Sequence, residues 1–326
     1  MSELSLEAYR FALDNTVDSV VITDIRSVIQ YVNPAFTTIT GFTAKEAVGG
    51  KPSILRSRHT TLDTYKDMWS IILSGGWWRG EIINVRKTGE EWYSYLSISQ
   101  IKDSHGKAFA YVGIAKDITE LKMLQFELKE AGLEGIFMLS AAAEAKDELT
   151  GSHLRRVQHY SEAIALRLGL SKEAAEEIGY SSMMHDVGKI HIPDNVLKKN
   201  GPLSDPEWAS MAQHPESGAS ILRDKPFYAV ARDIASNHHE KWDGSGYPSG
   251  KRGEKIPLAA RIVAVADVFD ALTTHRPYKR AWSDQEALEE IAAQRGHHFD
   301  PQVVDAFFDL YREGTIAEIR KRFPTE

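Results

Sequence analysis

The sequence predicts two architectures in one chain: an α+β N-terminal part built on a five-stranded antiparallel sheet with helices, and an all-α C-terminal half. Three observations lead there. Short runs rich in Val, Ile, Tyr and Trp, broken by turn signals, fill the first third of the chain. From about residue 133 onward apolar residues recur at helical spacing, with no strong strand signal. Between the two, Leu121, Leu124, Leu128 and Ala131 form an apolar seam that marks a connecting helix over 119–131.

The elements follow in order. Ser19 to Thr23 and Val28 to Val32 read as two strands around a turn at 24–27. Asn33-Pro34 opens a short helix that Gly41 closes, and 61–73 reads as a further helix stopped by Gly75-Gly76. Strands over 78–86, 91–101 and 108–116 come next, joined at Thr88-Gly89 and His105-Gly106. Gly132 and Gly135 lower helix propensity and mark a hinge after the connector. Downstream, helices are expected over 153–168, before His185, and over 206–213, 215–223, 228–240, 258–274, 284–294 and 301–312.

The 326 residues suggest roughly two domains at ~150 residues each, and 42% hydrophobic residues suffice for ordinary cores. A net charge of -7 and the lack of a basic recognition helix exclude a DNA-binding regulator. The absence of cysteine excludes disulfides, thiolate metal sites and cysteinyl–flavin photochemistry. The start, MSELSLEAYR, shows no basic flank followed by an apolar run, and no stretch approaches the ~20 apolar residues of a membrane span. The expectation is a soluble, cytoplasmic protein with neither DNA nor membrane as partner.

Two segments carry the chemistry: His185-Asp186-Val187-Gly188-Lys189, and His238-His239-Glu240 with the glycine-broken loop through Tyr247-Pro248. His153 shares a helix face with Val157, Tyr160 and Ile164, where a lone histidine is more often a core residue than a ligand. Adjacent imidazole and carboxylate at His185-Asp186 change that balance, because burying them is costly unless they are paired or metallated. His214 stands at a helix start before Pro215. Asp267 interrupts the apolar helix 260–269 and needs a partner. Five histidines and two aspartates thus form a candidate ligand set: His153, His185, Asp186, His214, His238, His239 and Asp267. Two divalent ions sharing Asp186 would use all of them. Imidazole and carboxylate without thiolate suit iron, manganese, nickel or zinc, with iron or manganese the expectation. Lys189, three residues after Asp186, is placed to stabilise developing charge or help a leaving oxygen; a simple salt bridge to a ligand carboxylate is the plain alternative. His59, His105, His159, His191, His275, His297 and His298 read as structural or surface residues.

Residues 5–120 resemble a PAS sensor domain, through Tyr31-Val32-Asn33-Pro34-Ala35-Phe36, Thr40-Gly41-Phe42, the Gly-Trp-Trp-Arg-Gly run at 76–80, Arg86-Lys87-Thr88-Gly89-Glu90 and the closing Asp117-Ile118-Thr119-Glu120. Such a core holds haem, flavin, a small metabolite or nothing. His59 lies in basic, polar surroundings and reads as a surface residue, and Trp77, Trp78 and Trp92 read as core more readily than as a flavin pocket. The ligand of this part is left unknown.

Residues 135–312 resemble the HD-GYP family, a branch of the HD-domain metal phosphohydrolases. The match runs through Thr150-Gly151-Ser152-His153, the His185 to Lys189 segment, Ile192-Pro193-Asp194, His214-Pro215, His238-His239-Glu240, Gly246-Tyr247-Pro248, Ile256-Pro257-Leu258, Asp267 to Leu272 and Arg276-Pro277-Tyr278-Lys279. The resemblance implies hydrolysis of cyclic di-GMP to pGpG, in some members onward to GMP. It turns Arg276 and Lys279 into candidates for gripping the second phosphate. Tyr247 becomes a candidate base contact or lip residue, on a loop that is equally a docking surface for a partner protein. Three-metal members carry a glutamate four residues before the first ligand histidine; here that position is Leu149, with Glu148 one step off, so two ions are expected. The expected division is a sensor over 1–120, a connecting helix over 119–134 and a phosphodiesterase domain over 135–326. A homodimer through the connector and the sensor is expected as well. The rival readings are a nucleotide- or partner-binding signalling module with little catalysis, and a phosphodiesterase for another cyclic dinucleotide such as cyclic GMP–AMP.

Overall fold

The structure, a computed structural model, describes residues 5–144, 151–275 and 280–324. The chain divides into two compact units, Met1–Lys129 and Glu130–Glu326. The N-terminal unit runs α1 (Leu6–Asp14), β1 (Ser19–Asp24), β2 (Ile29–Val32), α2 (Pro34–Thr40), α3 (Ala44–Ala47), α4 (Leu62–Leu73), β3 (Trp78–Val85), β4 (Glu91–Lys102) and β5 (Ala108–Asp117). All five strands pair antiparallel in the order β2-β1-β5-β4-β3. The helices between β2 and β3 carry the chain across one face to the far edge, and β5 returns to close the sheet between β1 and β4.

Strand alternation decides which residues face the helices. The register pairs Ser19 with Ala115, Val21 with Gly113 and Thr23 with Tyr111, so these small and apolar residues share a face. Helix α4 lays Met68 and Ile72 against Trp78, Ile82 and Tyr111 on that side. Asn33 ties the edge together. Its Oδ1 accepts from the Val20 and Phe36 N–H groups at 2.9 and 3.0 Å, the second being the N-cap bond of α2. Its Nδ2 donates to the Leu13 and Asp18 carbonyls and to Thr16 Oγ1. Gly41 ends α2 in the left-handed region at φ 77°.

The connector is longer than the spacing predicts. It forms one unbroken helix, α5 (Thr119–Glu144), that runs through Gly132 and Gly135. The helix does not break at either glycine. Each glycine costs a helix only about 1 kcal/mol relative to alanine, and the surrounding Leu, Glu, Lys and Ala residues favour helix strongly enough to carry the pair. The first turn is anchored where Thr119 Oγ1 accepts from the Tyr93 N–H at 3.0 Å. Leu121, Leu124 and Leu128 of the apolar seam are 54%, 56% and 76% exposed, so nothing among the described residues covers the seam.

The C-terminal unit continues with α6 (Gly151–Arg167), α7 (Lys172–Ser182), a 3-10 segment Val187–His191, α8 (Asp194–Leu197), α9 (Asp205–Met211), α10 (His214–Leu222), α11 (Ala229–Asn237), α12 (Leu258–Thr273), α13 (Asp284–Ala293), α14 (Pro301–Arg312) and α15 (Thr315–Arg322). Helix α12 is apolar nearly all round because it lies in the middle of the unit. Its Ile262, Val263, Val265 and Phe269 pack with Val157 and Tyr160 of α6 and Val303 and Phe307 of α14. Helix α11 stops at Asn237 rather than at residue 240, since Glu240 is drawn into the following loop by the N–H groups of Ser249 and Lys251.

Replacing Asn33 with alanine strands the Val20 and Phe36 N–H groups inside the N-terminal unit. Unfolding of that unit should lose about 2 kcal/mol, read from a shifted denaturant midpoint of its transition.

Candidate metal centre

Each candidate histidine is delivered by a helix end or helix face. His153 lies in the first turn of α6, and His185 lies in the turn after α7. His214 opens α10, and His238 is the C-cap of α11. All four are buried. In each, Nδ1 is engaged by an acceptor. For His185 this is the Ser182 carbonyl at 2.8 Å, and for His214 the Met211 carbonyl at 2.9 Å. His238 Nδ1 meets the Ile234 and Ala235 carbonyls at 3.2 and 3.0 Å. A carbonyl only accepts, so Nδ1 carries a proton and, in the neutral ring, Nε2 keeps its lone pair. For His153 the acceptor is Asp270 Oδ2 at 2.7 Å. Asp270 is fixed in turn by a two-pronged contact from Arg156, whose Nε and Nη2 donate at 2.6 and 2.8 Å.

The Nε2 atoms of His185, His214 and His238 converge on Asp186. Oδ1 of Asp186 lies 3.2 Å from His214 Nε2 and 3.5 Å from His238 Nε2. Oδ2 lies 3.3 Å from His185 Nε2 and 2.7 Å from Lys189 Nζ. The two oxygens thus face two donor sets. One set is Asp186, His214, His238 and His239; the other joins His153 and His185 with Glu144. Asp267 Oδ1 stands 3.4 Å from His153 Nε2 and 3.7 Å from His185 Nε2, beside the second set.

Glu144 was missed in the sequence. It is the last residue of α5, it is 1% exposed, and its Oε1 lies 3.7 Å from His153 Nε2. Burial pushes its carboxyl above the usual range. Neither of its oxygens makes a hydrogen bond, and the same holds for His153 Nε2, His185 Nε2 and Asp186 Oδ1. Buried polar atoms are normally satisfied, and five orphans pointing at shared space call for a common partner that accepts lone pairs. A divalent cation is such a partner, so the residues fit a metal. Burial alone would push Asp186 up, but the Lys189 ammonium and His185 hold it well below the carboxylate range. Burial and the neighbouring His238 hold His239 well below the usual imidazole range, which keeps it neutral as a ligand must be.

Two glycines permit this assembly. A Cβ on Gly188 would lie 1.9 Å from the His214 carbonyl oxygen, so only glycine lets the His185–Lys189 segment touch α10. A Cβ on Gly246 would lie 2.5 Å from the His239 carbonyl oxygen, and the loop folds back there. Tyr247 donates its N–H to that carbonyl at 3.2 Å and stacks its ring on the His239 imidazole at 4.7 Å. Asp270 is the partner of His153. Arg276 and Lys279 lie outside the described residues, as do Glu148 and Leu149. His59 is exposed and paired with Glu91 at 2.8 Å.

The family model for the HD domain matches residues 138–303, and that for the PAS domain matches 17–120. The HD domain implies divalent-metal binding. The chain is 39% identical over 254 residues to a 3'3'-cGAMP-specific phosphodiesterase 2 of Vibrio cholerae, covering 72% of this chain and 48% of the relative. It is 43% identical over 205 residues to a cyclic di-GMP phosphodiesterase of the same organism, covering 58% and 42%. It is 48% identical over 201 residues to the cyclic di-GMP phosphodiesterase response regulator RpfG of Xanthomonas campestris, covering 61% and 53%. The chain therefore spans about half the length of the curated relatives it matches. No helix among the described residues is long and apolar enough to cross a membrane.

Asp270→Asn keeps the shape of the side chain but weakens its grip on His153 Nδ1 and on Arg156. Metal affinity should fall about 10- to 100-fold, read as the chelator concentration that strips half of the bound metal.

Proposed function

From the premise that the chain belongs to the HD-domain family and carries a PAS domain ahead of it, we propose that it hydrolyses cyclic di-GMP to pGpG with divalent metal ions, under control of the PAS domain. The observation that carries this reading is the position of Asp186, whose two oxygens face two separate sets of buried histidines. We assign two ions. Glu144, His153, His185 and Asp267 would hold the first, His214, His238 and His239 the second, and Asp186 would serve both. The donor chemistry suits iron or manganese. Such ions supply an acidified water and positive charge at phosphoryl oxygens.

The side chains of this protein do the remaining work. The Nδ1 anchors fix each imidazole before substrate arrives, so no reorganisation is needed at the moment of reaction. Lys189 holds an ammonium 2.7 Å from Asp186 Oδ2, where a departing alkoxide oxygen could be met by a proton-bearing cation. Tyr247 covers one face of His239 and excludes water from it. Arg276 and Lys279 are assigned to the second phosphate on the family resemblance. The two-ion assignment favours pGpG over GMP as the end product.

Helix α5 is the proposed lever of control. Its first turn is bonded to β4, and its last described residue is Glu144 of the first donor set. The exposed Leu121, Leu124 and Leu128 fit a second copy of the same helix, so we assign a homodimer. A second reading, cleavage of 3'3'-cGAMP, is favoured by the relative of that specificity, which aligns over 72% of this chain.

The test loads the full chain separately with ferrous iron and manganese and offers cyclic di-GMP and 3'3'-cGAMP in parallel. Metal-dependent pGpG with little GMP, lost in His185→Ala and Asp186→Ala, is the expected result. Preference for 3'3'-cGAMP would move the assignment to the second reading. Metal-loaded protein that turns over neither would leave a binding module.

A further inference from the structure

The N-terminal unit holds a cavity of about 780 Å³ between the sheet and α4, and none of the chemistry assigned above uses it. Small-molecule sites occupy ~300–1,000 Å³. The sequence makes this space with small residues. Gly113 and Ala115 of β5 line it, opposite Val21 and Ser19 in the register. A Cβ on Gly113 would meet Ile98, Leu96 and the Val21 carbonyl oxygen at 3.7, 3.8 and 4.0 Å, all ordinary contacts, so packing does not require glycine there. What the glycine leaves is room. The walls are apolar and aromatic, with Tyr65, Met68, Trp69, Trp92, Leu96 and Tyr111 among them.

The charged side chains of the cavity have one sign, beside neutral polar residues such as Ser19, Thr23 and Asn84. Lys51, Arg56 and Lys66 line it, and no carboxylate does so among the described residues. Lys66 is taken by Asp63 at 2.9 Å. Lys51 and Arg56 are both exposed at the rim. The Arg56 guanidinium lies 5.0 Å from the centroid of the Tyr65 ring. No histidine lines the cavity among the described residues, and the chain has no cysteine, so neither imidazole nor thiolate is offered there to a haem iron.

We propose that this cavity binds an apolar organic carboxylate, its hydrocarbon or aromatic body between the sheet and α4 and its carboxylate held at the rim by Arg56 and Lys51. An aromatic or aliphatic body matches the walls, and the uncompensated cations select the charge.

The test titrates the full chain with dodecanoate and 2-naphthylacetate, each against its neutral alcohol, dodecanol and 2-naphthylethanol, following tryptophan fluorescence and thermal stability. At least one acid should bind about tenfold or more tighter than its alcohol. The double variant Lys51→Ala/Arg56→Ala should erase that difference while leaving alcohol binding in place. Gly113→Leu, which fills the cavity, should weaken both kinds of ligand, and Ala115→Val serves the same purpose if that variant fails to fold. Equal binding of acids and alcohols by the unaltered chain would overturn the proposal. Failure of all four to bind, or acid affinity unchanged in the filled variants, would overturn it as well.

Discussion

Burying the carboxylate of Asp186 requires positive charge on both sides of it, and the C-terminal unit is arranged around that requirement. Lys189 satisfies one oxygen in part, at 2.7 Å. The imidazoles of His185, His214 and His238 surround the rest, but their Nδ1 protons are committed to backbone carbonyls, so as neutral rings they turn lone pairs rather than protons toward the acid. Lone pairs facing a carboxylate repel it. Without a metal ion His185 relieves this by taking up a proton, since Asp186 beside it pushes its pKa up against the opposing effect of burial; a bound divalent cation takes the place of that proton, which is why the same atoms that are awkward as a core are apt as a metal site.

That demand propagates outward. His153 is held by Asp270, Asp270 by Arg156, and Arg156 Nη1 reaches the Phe323 carbonyl at 3.1 Å beyond the end of α15. Glu144 brings the end of α5 into the same cluster. The glycines at 188 and 246 follow from it as well, since each lets one ligand-bearing segment approach another more closely than any side chain would allow. The N-terminal unit obeys a different logic. It is built by strand alternation and by Asn33, and its small residues leave a cavity.

Much of this was legible in the sequence. Adjacent His185-Asp186 and His238-His239 are chemically expensive unless shared with metal, and Asp267 stands out within an apolar helix. Asn33-Pro34 and Gly41 mark the ends of α2 by backbone chemistry alone, and the α+β plus all-α division follows from two periodicities. Other features were hidden for physical reasons. Glu144 sits in an Ala-rich stretch near Asp147 and Glu148, and spacing does not tell which acid a helix end will bury. The partnership of Asp270 with His153 joins α12 to α6 and is set by packing. The unbroken α5 reflects helix formers outweighing two glycines. The cavity comes from side chains that are missing at Gly113 and Ala115, and a periodicity analysis records only those that are present.

The most direct measurement is the metal content of the full chain purified without oxygen, compared with Asp186→Ala of the same helical content. The account predicts about two equivalents of divalent metal in the unaltered protein and loss from both donor sets in the variant, because one carboxylate serves the two. Retention of two equivalents by Asp186→Ala would contradict it.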